Sequence, residues 1–287
     1  MQDQAAGAIC PATLGEAWHW ARRQIDAIDA RVLLREACAC SNGRWISHGE
    51  TPLEPGQRAR LADWVARRAA GEPVAYLLGW REFHGHRFTV TPDVLIPRPD
   101  TETLVDAALA VLPADRPARV LDLGTGSGCI AISLALVRPL ADVVATDASE
   151  AALMVASANA ETLGATNIRF VRGSWYGALS GAPEAQFDLI VSNPPYIAAG
   201  DTHLAEGDLR AEPPAALSPG GDGLDALRAI IAGAPACLAA GGWLLVEHGW
   251  DQGGAVRQLL GAAGFERLVD HHDLGGNHRV SGGRWRR

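Results

Sequence analysis

The residues with the clearest chemical potential are Asn193-Pro194-Pro195-Tyr196, which come directly after the apolar segment Phe187–Ser192. Proline has no N–H and holds φ near −65°, so two successive prolines lead the chain rigidly out of a strand and leave carbonyl oxygens unpaired. The Asn193 side-chain oxygen and the Pro194 carbonyl then form a pair of acceptors, which suits a planar nitrogen that carries hydrogens. The ring of Tyr196 can cover such a planar group. The motif predicts an enzyme that acts on an amide or amino nitrogen conjugated to a π-system.

A glycine-rich turn marks a second candidate site. Residues 120–123 predict a buried strand, and Gly124, Gly126 and Gly128 follow it before an apolar helix over residues 129–136. Glycines let the backbone turn sharply and allow a ligand to approach the helix N-terminus. A dinucleotide-binding turn would space its last two glycines as GxxG. The spacing here is GxGxG, which resembles the S-adenosylmethionine turn of class I methyltransferases.

Two side chains follow the next two predicted strands. Asp147 comes about 20 residues after the glycine turn, where an acid accepts both hydroxyls of a nucleoside ribose. No arginine immediately follows Asp147 to bind a 2′-phosphate, which disfavours NADP as the cofactor. Trp175 lies after the third strand and offers a flat apolar surface for adenine. Asp147 as a helix cap and Trp175 as a core residue are the simpler roles, but their position at successive strand ends favours a cofactor site.

The elements that must position these residues alternate along the chain. Strands are predicted at residues 119–123, 142–146, 167–171, 187–192, 243–247, 266–270 and 279–281, and helices at residues 101–112, 150–163, 224–238 and 252–263. Apolar strands that alternate with amphipathic helices predict an α/β fold with a parallel, doubly wound sheet. The carboxyl ends of parallel strands meet at one edge of the sheet, which would bring the motifs together.

The first part of the chain has a different pattern. Helical spacing of apolar residues over 26–40, with capping-box spacing of Thr13 and Glu16, predicts a small helical bundle. β-forming residues at 88–91 and 94–96 then predict a β-hairpin. The predicted domains are a helical domain over residues 1–84, a hairpin linker over residues 85–98 and an α/β domain over residues 99–287.

The composition limits the class of protein. The 287 residues, 48% of them hydrophobic, can build one large domain or two unequal ones. No apolar run approaches the roughly 20 residues of a membrane span, so we expect a cytoplasmic protein with no membrane partner. Five cysteines without a CxxC pair fit a reducing compartment, and no histidine cluster has metal-ligand spacing, so no metal is expected. A formal charge of −8 disfavours a nucleic acid as direct substrate.

Several segments together resemble the peptide chain release factor glutamine methyltransferase family, known as PrmC/HemK. Asn-Pro-Pro-Tyr alone is shared with adenine-N6 DNA methyltransferases. The segment Ile-Pro-Arg-Pro-Asp-Thr-Glu at residues 96–102 and the Tyr-Leu-Leu-Gly at residues 76–79 are far more specific. With residues 122–128 and 247–250, the likeness covers almost the whole chain. His84-Gly85-His86 departs from the aromatic residue expected after Arg-Glu-Phe.

The resemblance implies a class I, Rossmann-like methyltransferase domain and an N-terminal domain that helps, with the hairpin, to bind the substrate. It implies methyl transfer from S-adenosyl-L-methionine to the side-chain amide nitrogen (N5) of the glutamine in the Gly-Gly-Gln motif of class 1 release factors. By position, the implied cofactor contacts are Gly124, Thr125, Gly126, Ser127, Gly128, Asp147, Trp175 and Asn193. The implied substrate contacts are Asn193, Pro194, Pro195 and Tyr196, of which Asn193, Pro194 and Tyr196 are the catalytic candidates.

Other functions remain open at this point. A related enzyme that methylates a glutamine of a ribosomal protein would hold the same amide. An N6-adenine methyltransferase of DNA or RNA would use the same acceptor pair, but the negative charge and the lack of a separate basic domain disfavour it. A catalytically silent partner of the translation machinery that binds S-adenosylmethionine is disfavoured by the complete acceptor motif.

Four further side chains lie close to these motifs in the sequence. Glu247 and His248 end a predicted strand and could act as an acid/base pair. We favour structural roles, in which Glu247 accepts from nearby backbone donors and His248 lies on the surface. For Arg98 and Glu102 we predict a local ion pair that holds the turn between the hairpin and the next helix.

Overall fold

The computed structural model describes residues 10–41, 43–179 and 186–286. Contacts between residues divide the chain into two compact units, one that ends at Gly79 and one that begins at Trp80. The division falls slightly before the boundary predicted at residue 85, because the hairpin begins at Trp80 and belongs to the second unit. None of the described helices is both long enough and apolar enough to cross a lipid bilayer.

The first unit is a small bundle of helices. They are α1 (Leu14–Ala21), α2 (Ala27–Cys38), α3 (Arg44–Ser47), α4 (Pro55–Ala69) and α5 (Val74–Leu78). Asp26 begins α2, because its Oδ1 accepts from the Ile28 N–H at 2.7 Å, and Ala39 ends it with φ 49°. The capping box predicted for α1 is not formed. The Thr13 hydroxyl donates to the Glu16 carboxylate at 2.9 Å and makes no side-chain bond to a backbone N–H of the helix.

The second unit begins with a β-hairpin of β1 (Trp80–Phe83) and β2 (His86–Thr89). The hairpin predicted with a second strand at residues 94–96 is therefore wrong. The observed turn consists of His84 and Gly85, with φ 49° and 77°, the two positive values that a type I′ turn requires. Histidine does not mark such a turn in a sequence. The β-forming residues at 94–96 lie between two prolines, which cannot donate to a strand ladder.

Within the described part of the chain, a seven-stranded sheet forms the rest of this unit, in the order β5-β4-β3-β6-β7-β9-β8. The strands are β3 (Ala118–Leu123), β4 (Ala141–Asp147), β5 (Ile168–Arg172), β6 (Phe187–Ser192), β7 (Leu238–Glu247), β8 (Glu266–His272) and β9 (His278–Arg284). The helices are α6 (Glu102–Val111), α7 (Cys129–Val137), α8 (Glu150–Leu163), α9 (Pro214–Leu217), α10 (Asp225–Cys237) and α11 (Gly253–Ala262).

Strands β3 to β7 are parallel, as predicted. The last two strands differ, because β9 pairs antiparallel with both β7 and β8. The short turn between β8 and β9 cannot make the crossover that parallel pairing needs.

Helices cover both faces of the sheet. Val120 of β3 belongs to a buried cluster with residues of α6 and α7, whereas Leu121 belongs to a cluster with residues of α10 and α11. Strand order reverses between β3 and β6, and the carboxyl edge at such a reversal is where open α/β sheets bind ligands.

Candidate active site

A cavity of about 340 Å³ lies at this reversal of strand order. Most of the predicted site residues line it, although they come from four different strand ends. Those that line it are Gly124, Thr125, Gly126, Ser127, Asp147, Trp175, Asn193 and Pro195. Gly128, Pro194 and Tyr196 lie outside its lining.

The glycine turn packs tightly on the helices below it. Gly128 has φ 83°, and a Cβ at this position would lie 2.7 Å from Cδ1 of Ile132 and 3.1 Å from Cβ of Ala156. A side chain at this position would therefore clash with α7 and α8. Gly128 contributes close packing of the turn and does not itself face the cavity.

Asp147 shapes the turn from the end of β4. Its Oδ2 accepts from the Gly126 N–H at 2.9 Å, and its Oδ1 accepts from the Ser149 N–H at 2.9 Å. The helix-cap role considered for Asp147 belongs to Ser149, whose side chain accepts from the Ala152 N–H at 3.2 Å. A carboxylate has about four acceptor positions, so Asp147 can accept further hydrogen bonds from a ligand in the cavity.

Trp175 forms a wall of the cavity beside the glycine turn. Its Cζ3 lies 3.4 Å from the position that a Cβ on Gly124 would occupy. Its backbone has φ 45°, which is uncommon for a bulky residue and is retained mainly at functional positions. The ring therefore presents an apolar surface to the cavity next to Gly124.

The acceptor motif is held beside the glycine turn by two hydrogen bonds. The Ser192 hydroxyl donates to the Leu123 carbonyl at 2.6 Å and joins the ends of β6 and β3. The Asn193 Nδ2 donates to the Thr101 hydroxyl at 3.1 Å, so the carboxamide has its nitrogen towards Thr101 and its oxygen away from it. Thr101 lines the cavity and is 2% exposed. It was not predicted as a site residue, although it lies in the Ile-Pro-Arg-Pro-Asp-Thr-Glu segment.

Tyr196 anchors the motif to the neighbouring strand. Its half-buried ring packs against the apolar cluster on the α10 and α11 face. Its hydroxyl donates to Oε1 of Glu247 at 3.3 Å, and its backbone carbonyl accepts from the Gln252 side chain at 2.9 Å. Burial raises the pKa of Tyr196 well above its usual range, so the phenol is neutral. Contact of this ring with a substrate stays a prediction.

Glu247 and His248 do not have the roles that we favoured. Glu247 is 1% exposed and bonds to the Tyr196 side chain, and burial raises the pKa of its carboxyl to about 7. His248 is fully buried, with its Nε2 2.8 Å from Oγ of Ser281 and its Nδ1 2.8 Å from the Gly249 carbonyl oxygen. Both predictions are wrong because side chains of neighbouring elements contact the end of β7: Tyr196, which follows β6, bonds to Glu247, and Ser281 of β9 bonds to His248.

Arg98 and Glu102 do not pair with each other. Arg98 pairs with Glu212, whose side chain is 0% exposed and whose Oε2 accepts from the Ile96 N–H at 3.1 Å. Glu102 accepts from the His84 N–H at 2.9 Å. Burial raises the pKa of Glu212, and the charge of Arg98 opposes this shift. The residues directly after Glu212 line the cavity, so the pair fixes part of its wall. Glu212 was not predicted as a site residue, because it lies in no motif and in no periodic pattern of apolar residues.

Breaking this pair is expected to destabilise the protein. Arg98→Met should lower the free energy of unfolding by about 2–3 kcal/mol, somewhat less than for a fully buried pair because Arg98 is partly exposed. The reason is that the Glu212 carboxylate stays buried without its partner. Urea unfolding at neutral pH measures this change.

The matched control is Arg169→Met, which breaks a half-exposed ion pair with Asp142 and should cost less than about 1 kcal/mol. Adding Glu212→Gln to Arg98→Met should restore part of the loss. If Arg98→Met and Arg169→Met lowered the free energy of unfolding equally, the pair of Arg98 and Glu212 would not have this stabilising role.

Two family models match the chain. The Methyltransferase small domain model matches residues 101–224, and the PrmC N-terminal domain model matches residues 16–79. The chain is 53% identical to the release factor glutamine methyltransferase of Bordetella pertussis over 256 residues, which are 89% of this chain and 94% of that protein. The chain belongs to the release factor glutamine methyltransferase family.

Further relatives agree with this assignment and with the fold. The release factor glutamine methyltransferase of Pseudomonas aeruginosa is 54% identical, over 90% of this chain and 92% of its own. The crystal structure of a methyltransferase from Pyrococcus furiosus matches with TM-score 0.54 and 18% identity, over 79% of this chain and all of that chain. The family resemblance and the class I fold inferred from the motifs are thus confirmed.

The described residues contain no group of three or more histidine, cysteine, aspartate or glutamate side chains placed to hold a metal ion. The five cysteines are free thiols.

Proposed function

We propose that this chain transfers a methyl group from S-adenosyl-L-methionine to the side-chain amide nitrogen of the glutamine in the Gly-Gly-Gln motif of class 1 release factors. The observation that carries the proposal is the position of Asn193. Asn193 lies on the wall of a cavity that is also lined by the glycine turn, Asp147 and Trp175. An acceptor for amide hydrogens thus adjoins a site suited to a nucleoside.

The cavity residues fit the proposed cofactor. Asp147 uses one bond per oxygen for backbone N–H groups, and its remaining acceptor positions suit ribose hydroxyls. The Trp175 ring beside Gly124 suits the adenine face. When bound, the cofactor supplies an electrophilic methyl group on sulfur.

The two acceptor oxygens of Asn193 and Pro194 would increase the low reactivity of a primary amide nitrogen. The amide nitrogen is a poor nucleophile because its lone pair is delocalised into the carbonyl. Hydrogen bonds from its two N–H groups to Oδ1 of Asn193 and to the Pro194 carbonyl would fix its orientation and strengthen as positive charge develops on nitrogen. The N-protonated product is strongly acidic, so its proton can leave without an assigned general base.

The partner is a protein that carries the reactive glutamine. The relatives named above are release factor enzymes, and the N-terminal part of the chain matches the N-terminal domain model of that family. The charge of −8 does not favour a polyanionic substrate. Release factors act during translation, so we propose that the protein works in the cytoplasm.

A methylation assay with labelled S-adenosylmethionine tests the proposal. The substrates are a purified class 1 release factor, its Gly-Gly-Gln glutamine-to-alanine variant, a set of ribosomal proteins and duplex DNA. We expect label on the native release factor alone. Label on the alanine variant, or on ribosomal proteins or DNA in preference to the native factor, would reject the proposed substrate.

A further inference from the structure

The orientation of the Asn193 carboxamide needs a physical cause. A carboxamide that rotates by 180° about its last bond exchanges its oxygen and nitrogen with almost no change of shape. Only one orientation offers an oxygen to the N–H groups of a substrate amide, because the other presents two more hydrogens. In the structure the nitrogen faces Thr101, at 3.1 Å from its hydroxyl oxygen.

The Thr101 hydroxyl can hold that orientation only if its own hydrogen points elsewhere. A hydroxyl has one hydrogen and two lone pairs, so it can accept from Asn193 while it donates to another group. Thr101 is 2% exposed, which leaves little access for water. The Glu247 carboxyl lies beside Thr101, and the threonine hydroxyl stabilises its charged form.

Glu247 is placed to be that acceptor. It is 1% exposed, and its Oε1 receives the Tyr196 hydroxyl at 3.3 Å. Its Oε2 is buried and has no hydrogen-bond partner among the described residues, so it is free to accept a hydrogen bond. An ionised carboxylate can only accept, so a hydroxyl that bonds to it must act as the donor.

We propose that Glu247 is a positioning residue that sets, through the direction of the Thr101 hydroxyl, which end of the Asn193 carboxamide faces the substrate. The ionised carboxylate draws the Thr101 hydrogen, the free lone pairs of Thr101 accept the Asn193 N–H, and Oδ1 of Asn193 is turned to the substrate. The inference rests on the proposed function of Asn193 as an acceptor for the substrate amide.

The charge of Glu247 depends on the groups that surround it. Burial raises the pKa of Glu247 to about 7 and the charge of Asp100 adds to the rise, whereas Thr101, Arg279 and Tyr196 oppose it. The Cys129 thiol at the start of α7 also faces Glu247 and stays neutral, since burial raises its pKa to about 12. A protonated Glu247 would donate to Thr101 and reverse the hydroxyl. Methyl transfer should therefore slow as the pH falls through the pKa of Glu247.

Three variants test the inference. Thr101→Val removes the hydroxyl at nearly constant shape and should lower kcat about tenfold, the value of one hydrogen bond. Thr101→Ser should restore most of that loss. Glu247→Gln should lower kcat by a similar factor and remove the fall of kcat at acidic pH. In all three variants, the KM for release factor and the Kd for S-adenosylhomocysteine should stay within about threefold of the wild-type values.

The matched control is Thr146→Val, which removes another buried hydroxyl. It should keep the wild-type kcat.

A readout without turnover separates this inference from the proposed function. The side-chain amide signal of Asn193 in ¹⁵N NMR spectra, assigned by its loss in Asn193→Asp, should show slowed hydrogen exchange in the wild type and in Thr101→Ser. Exchange should be faster in Thr101→Val. Failure of the wild type to methylate a release factor would reject the proposed function and leave this measurement intact. Equal exchange in Thr101→Val and wild type, or an acid limb that persists in Glu247→Gln, would overturn the positioning role.

Discussion

Replacing Asn193 with alanine is expected to lower kcat for release factor methylation by about 10²–10³-fold, with little change in cofactor affinity. The change removes Oδ1, one of two acceptors proposed for the substrate amide. Loss of a comparable preorganised hydrogen-bonding group costs about 2.7–4 kcal/mol of transition-state stabilisation. The glycine turn and Asp147 still form the cofactor side of the cavity, so binding there should persist. Single-turnover kinetics gives the rate of methyl transfer, and calorimetric titration with S-adenosylhomocysteine gives the affinity.

The control for this variant is Asn277→Ala, which changes an asparagine in the turn between β8 and β9. Its side-chain nitrogen lies 3.3 and 3.4 Å from the two carboxylate oxygens of Asp273. This variant should keep kcat within about twofold, since no substrate contact is proposed there. Loss of cofactor binding in Asn193→Ala would show that Asn193 acts mainly as a cofactor ligand. A wild-type rate in Asn193→Ala would remove it from the catalytic residues.

Replacing Asp147 with alanine is expected to raise the Kd for S-adenosylhomocysteine by about 10–100-fold. Hydrogen bonds to a charged group contribute about 1.5–3 kcal/mol, and the variant loses those proposed to the ribose hydroxyls. It also loses the bond from the Gly126 N–H that shapes the turn. The two effects can be separated with an analogue of S-adenosylhomocysteine that lacks both ribose hydroxyls.

The wild type should bind the complete ligand much more tightly than the analogue, whereas Asp147→Ala should bind the two with similar affinity. Asp142→Ala is the matched control on the same strand, because Asp142 is half-exposed and pairs with Arg169. It should leave both affinities unchanged. If Asp147→Ala weakens both ligands equally, Asp147 acts only by shaping the glycine turn.

The sequence predicted the parts of the site whose chemistry is local. Consecutive prolines after an apolar strand and three closely spaced glycines restrict the backbone wherever they occur. Asp147 was expected from its distance to the glycine turn. Each of these motifs ends a parallel strand, and strands of one parallel sheet share an edge. Their meeting at one cavity therefore followed from the α/β pattern.

The interactions that hold the site depend on residues far apart in the sequence. Arg98 and Glu212 are 114 positions apart, Thr101 and Asn193 are 92 apart, and Tyr196 and Glu247 are 51 apart. The spacing of motifs does not predict such distant partners. Glu102, the nearby opposite charge, was therefore wrongly predicted as the ion-pair partner of Arg98.

By itself, the sequence determined the family, the α/β class and the two motifs that face the cavity, because backbone restriction and apolar periodicity act over a few residues. Only the tertiary structure decided which buried polar groups pair, where the hairpin turns and that Glu247 and His248 lie inside. Those outcomes depend on which elements cover each strand end. Buried carboxylates such as those of Glu212 and Glu247 have little access to water. Their hydrogen-bond partners are therefore the protein groups that the fold places beside them.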